Sequence, residues 1–124
     1  MTKRILIIDD DSDVLAVTQL ALKTVGGWMV STATSGREGI EKAAQEQPDA
    51  ILLDVMMPDM DGFATLQALQ SNPTTQSIPV ILMTAKVQTS EQRLTHQGVA
   101  ATIIKPFKAM KLPAQIADLL GWNS

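Results

Sequence analysis

The stretch that decides the fold is Ile51-Leu52-Leu53-Asp54-Val55-Met56-Met57-Pro58-Asp59-Met60-Asp61-Gly62. An apolar run that begins at Ala50 ends abruptly in the carboxylate of Asp54, and turn-forming residues follow at Pro58 and Gly62. This pattern is typical of a buried strand that delivers one acidic side chain to the rim of a sheet. A lone aspartate in such a place more often ends a strand or caps a turn. The interpretation of Asp54 therefore depends on the rest of the chain.

A second acidic cluster follows another apolar run. Ile5-Leu6-Ile7-Ile8 reads as a strand buried on both faces of a parallel sheet. Asp9 and Asp10 come directly after it, and Asp11 is expected to be a solvated residue near the start of the next helix. Two buried strands that both end in carboxylates favour a functional interpretation of Asp54.

Strand and helix patterns alternate five times along the chain. The predicted strands are 5–8, 28–33, 50–54, 79–83 running into Thr84, and 101–104. The predicted helices begin at a Ser12 cap, at the capping-box pattern Ser35-Gly36-Arg37-Glu38, near Phe63, near Thr89, and either near Leu112 or near Ala109 with a distortion at Pro113. Short loops and fully apolar strands predict an open α/β parallel sheet with helices on both faces. Its ligand site is expected at the carboxyl ends of the strands.

The bulk composition limits the class of protein. A chain of 124 residues with 45% hydrophobic and 19% charged residues fits one globular domain with a real core. The net charge is −3 and no basic run occurs, which argues against direct nucleic-acid binding. No apolar stretch approaches the ~20 residues that a bilayer-spanning helix needs. Cysteine is absent, which excludes disulfides and zinc–thiolate sites. A cytoplasmic location without membrane contact is the expectation.

The carboxyl ends of the predicted strands carry residues of complementary chemistry, namely Asp9, Asp10, Asp54, Thr84 and Lys105. Three carboxylates in one crevice repel one another unless a cation joins them. Hard oxygen ligands at an open rim suit Mg²⁺, which binds few carboxylates and keeps several waters. Asp54 would then act as a nucleophile toward phosphorus, Lys105 would pair with phosphoryl oxygens, and Thr84 would donate a hydrogen bond to one of them.

Four segments together resemble the response-regulator receiver domain, the CheY-like module of two-component signalling. They are Ile7-Ile8-Asp9-Asp10, residues 53–62, Met83-Thr84-Ala85 and Lys105-Pro106-Phe107. The resemblance covers nearly the whole chain. It implies a flavodoxin-like (βα)5 fold, in which a doubly wound five-stranded parallel sheet has the strand order 2-1-3-4-5 and helices on both faces.

The resemblance also implies a role for each matching residue. Asp54 matches the position that is phosphorylated, Asp10 the direct Mg²⁺ ligand, and Asp9 its acidic neighbour. The backbone carbonyl of Met56 is expected to complete the metal site, and Thr84 matches the hydroxyl that moves toward the phosphoryl group. The site is completed by two further positions, the phosphate-pairing Lys105 and a Pro106 that usually has a cis peptide bond.

Two features depart from the family pattern. The aromatic switch residue that usually stands three positions before the lysine is Thr102 here, and the preceding pair is Ala100-Ala101. Either the aromatic switch is missing or the output face signals differently. Two other residues carry weaker expectations: Met56 beside the phosphoryl group could slow hydrolysis, and His96 is expected to be a solvated surface residue.

The expected function is that of a stand-alone response regulator, with one receiver domain over residues 1–124 and no output domain. Its partners would be a sensor histidine kinase or histidine phosphotransfer protein and a downstream protein target, and it would be a monomer or weak dimer. It is not expected to be an enzyme beyond phosphoryl transfer onto and hydrolysis from its own Asp54. The main alternative is a degenerate receiver that binds proteins without phosphorylation. A phosphatase of the haloacid-dehalogenase type is disfavoured by Asp13, which replaces the expected Thr or Val, and flavin binding by the lack of a phosphate loop.

Overall fold

The computed structural model describes residues 3–54, 62–84, 99–104 and 108–122. Its sheet contains five parallel strands in the order β2-β1-β3-β4-β5. The strands are β1 (Arg4–Ile8), β2 (Met29–Ala33), β3 (Ala50–Asp54), β4 (Val80–Thr84) and β5 (Val99–Ile104). The predicted fold class and strand order are confirmed.

Four α-helices connect and flank the strands within the described residues. They are α1 (Ser12–Thr24), α2 (Gly36–Glu46), α3 (Gly62–Ser71) and α4 (Leu112–Leu120), the last preceded by a 3₁₀ turn over Ala109–Lys111. The helix predicted near Thr89 lies outside the described residues. Among the described helices, none has the length and apolar character that crossing a membrane would require.

Element boundaries differ slightly from the predicted ones. The strand β2 begins at Met29 rather than Trp28, and β5 begins at Val99, two residues before the predicted Ala101. The last helix begins at Leu112, so Pro113 lies in its first turn. Backbone N–H groups of the first turn have no hydrogen-bond partner within the helix, so the proline costs no helical hydrogen bond there. The alternative of a helix distorted at Pro113 is therefore wrong, and the segment from Ala109 is a 3₁₀ turn.

The core consists of two clusters, one on each face of the sheet. Strand residues alternate between the two faces, since successive side chains of a strand point in opposite directions. One cluster joins Leu6, Ile8, Ile51, Leu53 and Leu82 to α2 and α3, and the other joins Ile5, Ile7, Leu52 and Ile81 to α1 and α4. Within the described residues, helices therefore cover both faces of the sheet, and the carboxyl ends of the strands lie beyond these two clusters.

The start of α2 follows the predicted capping box with one change. The Ser35 hydroxyl accepts a hydrogen bond from the backbone N–H of Glu38 at 3.1 Å, as predicted. The Glu38 carboxylate accepts a return bond from the backbone N–H of Thr34 at 2.8 Å, one residue before the cap. The loop between β2 and α2 is thus fixed from both sides.

Candidate functional site

Asp9 and Asp54 stand at the carboxyl ends of neighbouring strands. Ile8 pairs with Leu53 in the β1–β3 ladder, so the next residue of each strand lies at the same edge of the sheet. Both carboxylates are buried, with 1% of Asp9 and 3% of Asp54 exposed. Two acidic side chains that the sequence separates by a whole βαβ unit are therefore brought together by parallel pairing.

Asp10 completes a cluster with these two residues. One carboxylate oxygen from each of Asp9, Asp10 and Asp54 lies within 4.8 Å of the others. Asp10 is exposed, so the cluster opens to solvent on one side. Carboxylate oxygens at this spacing could hold a hard divalent cation such as Mg²⁺, with waters completing its coordination on the open side.

The backbone around Asp9 fixes the position of its carboxylate. Its N–H donates to the carbonyl of Ala33 in β2 at 3.0 Å, and its Oδ1 accepts a hydrogen bond from the N–H of Asp11 at 2.9 Å. The first bond extends the β1–β2 ladder by one residue, and the second closes a side-chain-to-backbone turn before α1 begins. The turn therefore aims Asp9 inward and leaves Asp10 at the rim.

Asp11 has a structural role that the sequence analysis assigned to Ser12. It is exposed, as expected, and its Oδ1 accepts hydrogen bonds from the N–H groups of Asp13 and Val14 at 2.9 and 3.3 Å. Asp11 is thus the N-cap of α1, and Ser12 is the first helical residue. Aspartate and serine are about equally good caps, so the sequence offered no signal to separate them.

The remaining site residues are only partly covered by the structure. Thr84 ends β4, one residue beyond Met83, which pairs with Asp54 in the β3–β4 ladder. Thr102 pairs with Leu82 in the β4–β5 ladder. Four further positions from the sequence analysis lie outside the described residues: Met56, His96, Lys105 and Pro106.

Comparison with known proteins identifies the family. Residues 5–117 match the family described as response regulator receiver domain. This chain belongs to that family. The family expected from the sequence resemblance is therefore confirmed. The receiver domain is a component of two-component response regulators.

Individual relatives agree with this result. The transcriptional regulatory protein PrrA of Mycobacterium leprae (strain TN) is 36% identical over 118 residues, which cover 94% of this chain and 49% of that protein. The chemotaxis protein CheY4 of Vibrio cholerae has a TM-score of 0.87 at 26% identity, with 96% and 99% of the two chains covered. The receiver domain of the sensor histidine kinase PA1611 of Pseudomonas aeruginosa has a TM-score of 0.85 at 23% identity, with 98% and 99% of the two chains covered, and shares the fold. Its structure holds a magnesium ion in the active-site cleft.

The chain spans about half the length of PrrA, and 26% of the length of the response regulator PleD of Caulobacter vibrioides, which is 38% identical over 120 residues. The receiver fold is therefore common to proteins of quite different size.

Proposed function

We propose that this receiver domain accepts a phosphoryl group on Asp54 from a phosphohistidine of a sensor histidine kinase or a histidine phosphotransfer protein. The observation that carries the proposal is the cluster of Asp9, Asp10 and Asp54, two buried and one exposed, at the carboxyl edge of the sheet. A buried carboxylate with a hard-cation site beside it and an open rim is suited to in-line attack on phosphorus.

The three carboxylates, with the backbone carbonyl of Met56, would hold Mg²⁺. The ion, when bound, supplies positive charge that offsets the repulsion between the carboxylates and an incoming phosphoryl group. Asp9 is held by the Ala33 carbonyl and the Asp11 N–H, so its carboxylate is already oriented before a ligand arrives. Such preorganisation reduces the cost of assembling the site.

Asp54 is the nucleophile in this proposal. One of its carboxylate oxygens attacks phosphorus, the bond between phosphorus and the donor imidazole nitrogen breaks, and the electron pair of that bond returns to the nitrogen. With a proton already on the other ring nitrogen of the donor, the products are an acyl phosphate on Asp54 and a neutral histidine on the partner. Because the acceptor is part of the chain itself, the protein acts as a signalling component rather than as an enzyme with turnover on other substrates.

Two further residues would interact with the phosphoryl group on Asp54. Thr84 ends the strand next to β3, where its hydroxyl would donate to a phosphoryl oxygen, and Lys105 follows the end of β5, where its ammonium would pair with another. Their movement toward Asp54 would shift a two-state equilibrium of the face that includes Thr102. That face would contact a downstream protein. Thr102, with its smaller side chain and its hydroxyl group, would act there in place of the family's usual aromatic switch residue.

The wider setting of the domain is also proposed. The domain would signal through protein contacts in the cytoplasm, and its net charge of −3 supports the view that it does not bind nucleic acid itself. PrrA is a transcriptional regulatory protein, so the prediction about nucleic acid concerns the receiver domain alone.

The proposal is tested by intact mass after incubation with Mg²⁺ and acetyl phosphate. The parent is expected to gain one phosphoryl group, Asp54→Asn to gain none, and Asp118→Asn, which removes an exposed carboxylate of α4, to behave as the parent. Chelation of Mg²⁺ should abolish the gain. A folded parent that is never phosphorylated, with a histidine donor or with acetyl phosphate, would instead favour a receiver that binds partners without phosphorylation.

A further inference from the structure

The strand β2 forms one edge of the sheet, and its backbone groups alternate between the two sides. The N–H of Met29 donates to the carbonyl of Lys3 at 2.9 Å, and the carbonyl of Ala33 accepts from the N–H of Asp9 at 3.0 Å. These residues therefore turn their backbone groups toward β1. By the alternation of a strand, Val30 and Thr32 turn their N–H and C=O groups outward, away from the sheet.

A lysine of α2 covers one of these outward groups. The Nζ of Lys42 donates to the carbonyl of Thr32 at 2.5 Å and lies 3.6 Å from the Glu38 carboxylate. The Lys42 side chain remains 33% exposed. An ammonium group on an edge carbonyl is one of the devices by which proteins prevent edge strands from pairing with other chains.

The neighbouring part of the edge is open. Among the described residues, no side chain bonds to the outward N–H or C=O of Val30. This residue lines an open cavity of about 630 Å³, and Arg4, Lys23 and Glu46 also lie in its wall. Beside it, Met29 is 52% exposed. The edge therefore offers free backbone groups next to accessible apolar surface.

We propose that β2 is a self-association edge that Lys42 holds closed, and that its occupant is β2 of a second copy of this chain. In an antiparallel arrangement with the two-fold axis at Ser31, Val30 of each copy lies opposite Thr32 of the other. Residues opposite each other in such a pair exchange both backbone hydrogen bonds. The outward groups of β2 are thus complementary to themselves, as a two-fold symmetric interface requires.

Lys42 opposes this pairing by direct competition. The Thr32 carbonyl must accept from the N–H of Val30 of the second copy, and the Lys42 ammonium already occupies it. Loss of the Lys42 charge, by substitution or by acylation of the exposed amine, therefore opens the edge.

The test compares the association of Lys42→Met with that of the parent by sedimentation velocity, in chelator and without phosphodonor. The result then does not depend on the chemistry at Asp54. Methionine keeps the length and helix propensity of lysine without its charge. We expect the dimer dissociation constant of Lys42→Met to fall about tenfold or more, the factor that corresponds to a net gain of about 1.4 kcal/mol.

Two control variants distinguish strand pairing from non-specific hydrophobic association. The first control combines Lys42→Met with Val30→Pro. Proline removes the outward N–H of residue 30 and leaves the β1–β2 ladder intact, because that N–H does not donate to β1. The dimer should then be lost. Lys23→Met removes a charge from the same cavity without uncovering the Thr32 carbonyl, and it should associate as the parent does. Circular dichroism checks that each variant is folded.

Hydrogen exchange provides the specific readout. In the Lys42→Met dimer the N–H groups of Val30 and Thr32 should exchange more slowly than in the monomer, since both become hydrogen-bonded. The proposal is overturned if Lys42→Met associates no more than the parent, if the Val30→Pro combination still dimerises, or if Lys23→Met dimerises equally.

Discussion

Asp9 and Asp54 end neighbouring strands with both carboxylates buried, and their oxygens lie within 4.8 Å of each other and of Asp10. A cation that binds this cluster in the folded chain alone stabilises the fold by mass action, by about 1.4 kcal/mol at a free concentration ten times its dissociation constant. Thermal unfolding should therefore shift upward with Mg²⁺ in the parent. Asp9→Asn, which removes one carboxylate charge from the cluster, should lose most of that shift.

Asp13→Asn is the matched control for this experiment. Asp13 is an exposed aspartate of the same segment, outside the cluster. Its variant should retain the full Mg²⁺ shift. Equal shifts in Asp9→Asn and Asp13→Asn would show that the ion does not bind at Asp9, Asp10 and Asp54.

A substitution of Thr18 in α1 should raise the free energy of unfolding, whereas most substitutions in a protein core lower it. Its side chain is 1% exposed, and among the described residues its hydroxyl is the buried side-chain polar atom without a hydrogen-bond partner. Valine has nearly the same shape without that unmet hydrogen bond. Thr18→Val should therefore raise the free energy of unfolding by about 1 kcal/mol in urea denaturation.

Thr75 provides the comparison for Thr18. It is equally buried, but its hydroxyl donates to the carbonyl of Leu69 at 2.7 Å. Thr75→Val removes that bond and should lower the free energy of unfolding by about 1 kcal/mol. If both valine variants change stability in the same direction, the difference in hydrogen bonding is not what decides the outcome.

Much of the site could be predicted because its placement follows from the fold class. Continuous apolar runs identify buried parallel strands, and the carboxyl ends of such strands share one edge. The convergence of Asp9 and Asp54 needed no further information. The N-cap of α1 was missed by one residue, since Asp11 and Ser12 are both good caps and only the backbone path distinguishes them.

Contacts between distant elements could not be predicted in the same way. Trp28 and Trp122 form an edge-to-face pair with ring centroids 5.1 Å apart, and Lys3 lies 5.2 Å from the Trp122 ring. Their pairing depends on where α4 ends relative to the start of β2, which is set by the packing of α4 on the sheet and not by a local pattern.

The carboxylate of Glu38 gives a pH-dependent prediction. The hydrogen bond from the backbone N–H of Thr34 is the main reason that the pKa of Glu38 is lowered below its ordinary value of 4.5, with a smaller contribution from Lys42. A carboxylate with a lowered pKa in the folded state contributes stability above its unfolded pKa, and this contribution is lost as the pH falls through the folded pKa.

Glu38→Gln should therefore be less stable than the parent at neutral pH, by well under 1 kcal/mol because the carboxylate is partly exposed to solvent. The difference should vanish at a pH well below 4.5, where the parent is protonated as well. Urea denaturation of both proteins over a pH series isolates this residue, since their other carboxylates are the same. A difference that stays constant down to low pH would assign the effect to shape rather than charge.

Gly39 is the residue through which α2 packs against Ile8 of β1. A Cβ at this position would stand 2.3 Å from Cδ1 and 2.6 Å from Cγ1 of Ile8, a residue that is fully buried. Alanine is the better helix former by about 1 kcal/mol, but overpacking of a rigid core costs about 1 to 3 kcal/mol. Gly39→Ala should therefore be neutral to destabilising rather than stabilising.

A double-mutant cycle tests whether Ile8 is the cause. Ile8→Ala alone leaves a cavity and should cost about 2 to 5 kcal/mol. In Gly39→Ala combined with Ile8→Ala, the new methyl group enters that cavity instead of a clash, so the combined loss should be smaller than the sum of the two single losses by about 1 kcal/mol or more. Strict additivity, measured by urea denaturation, would mean that α2 moves away from the sheet as a unit and that the contact with Ile8 does not set its distance.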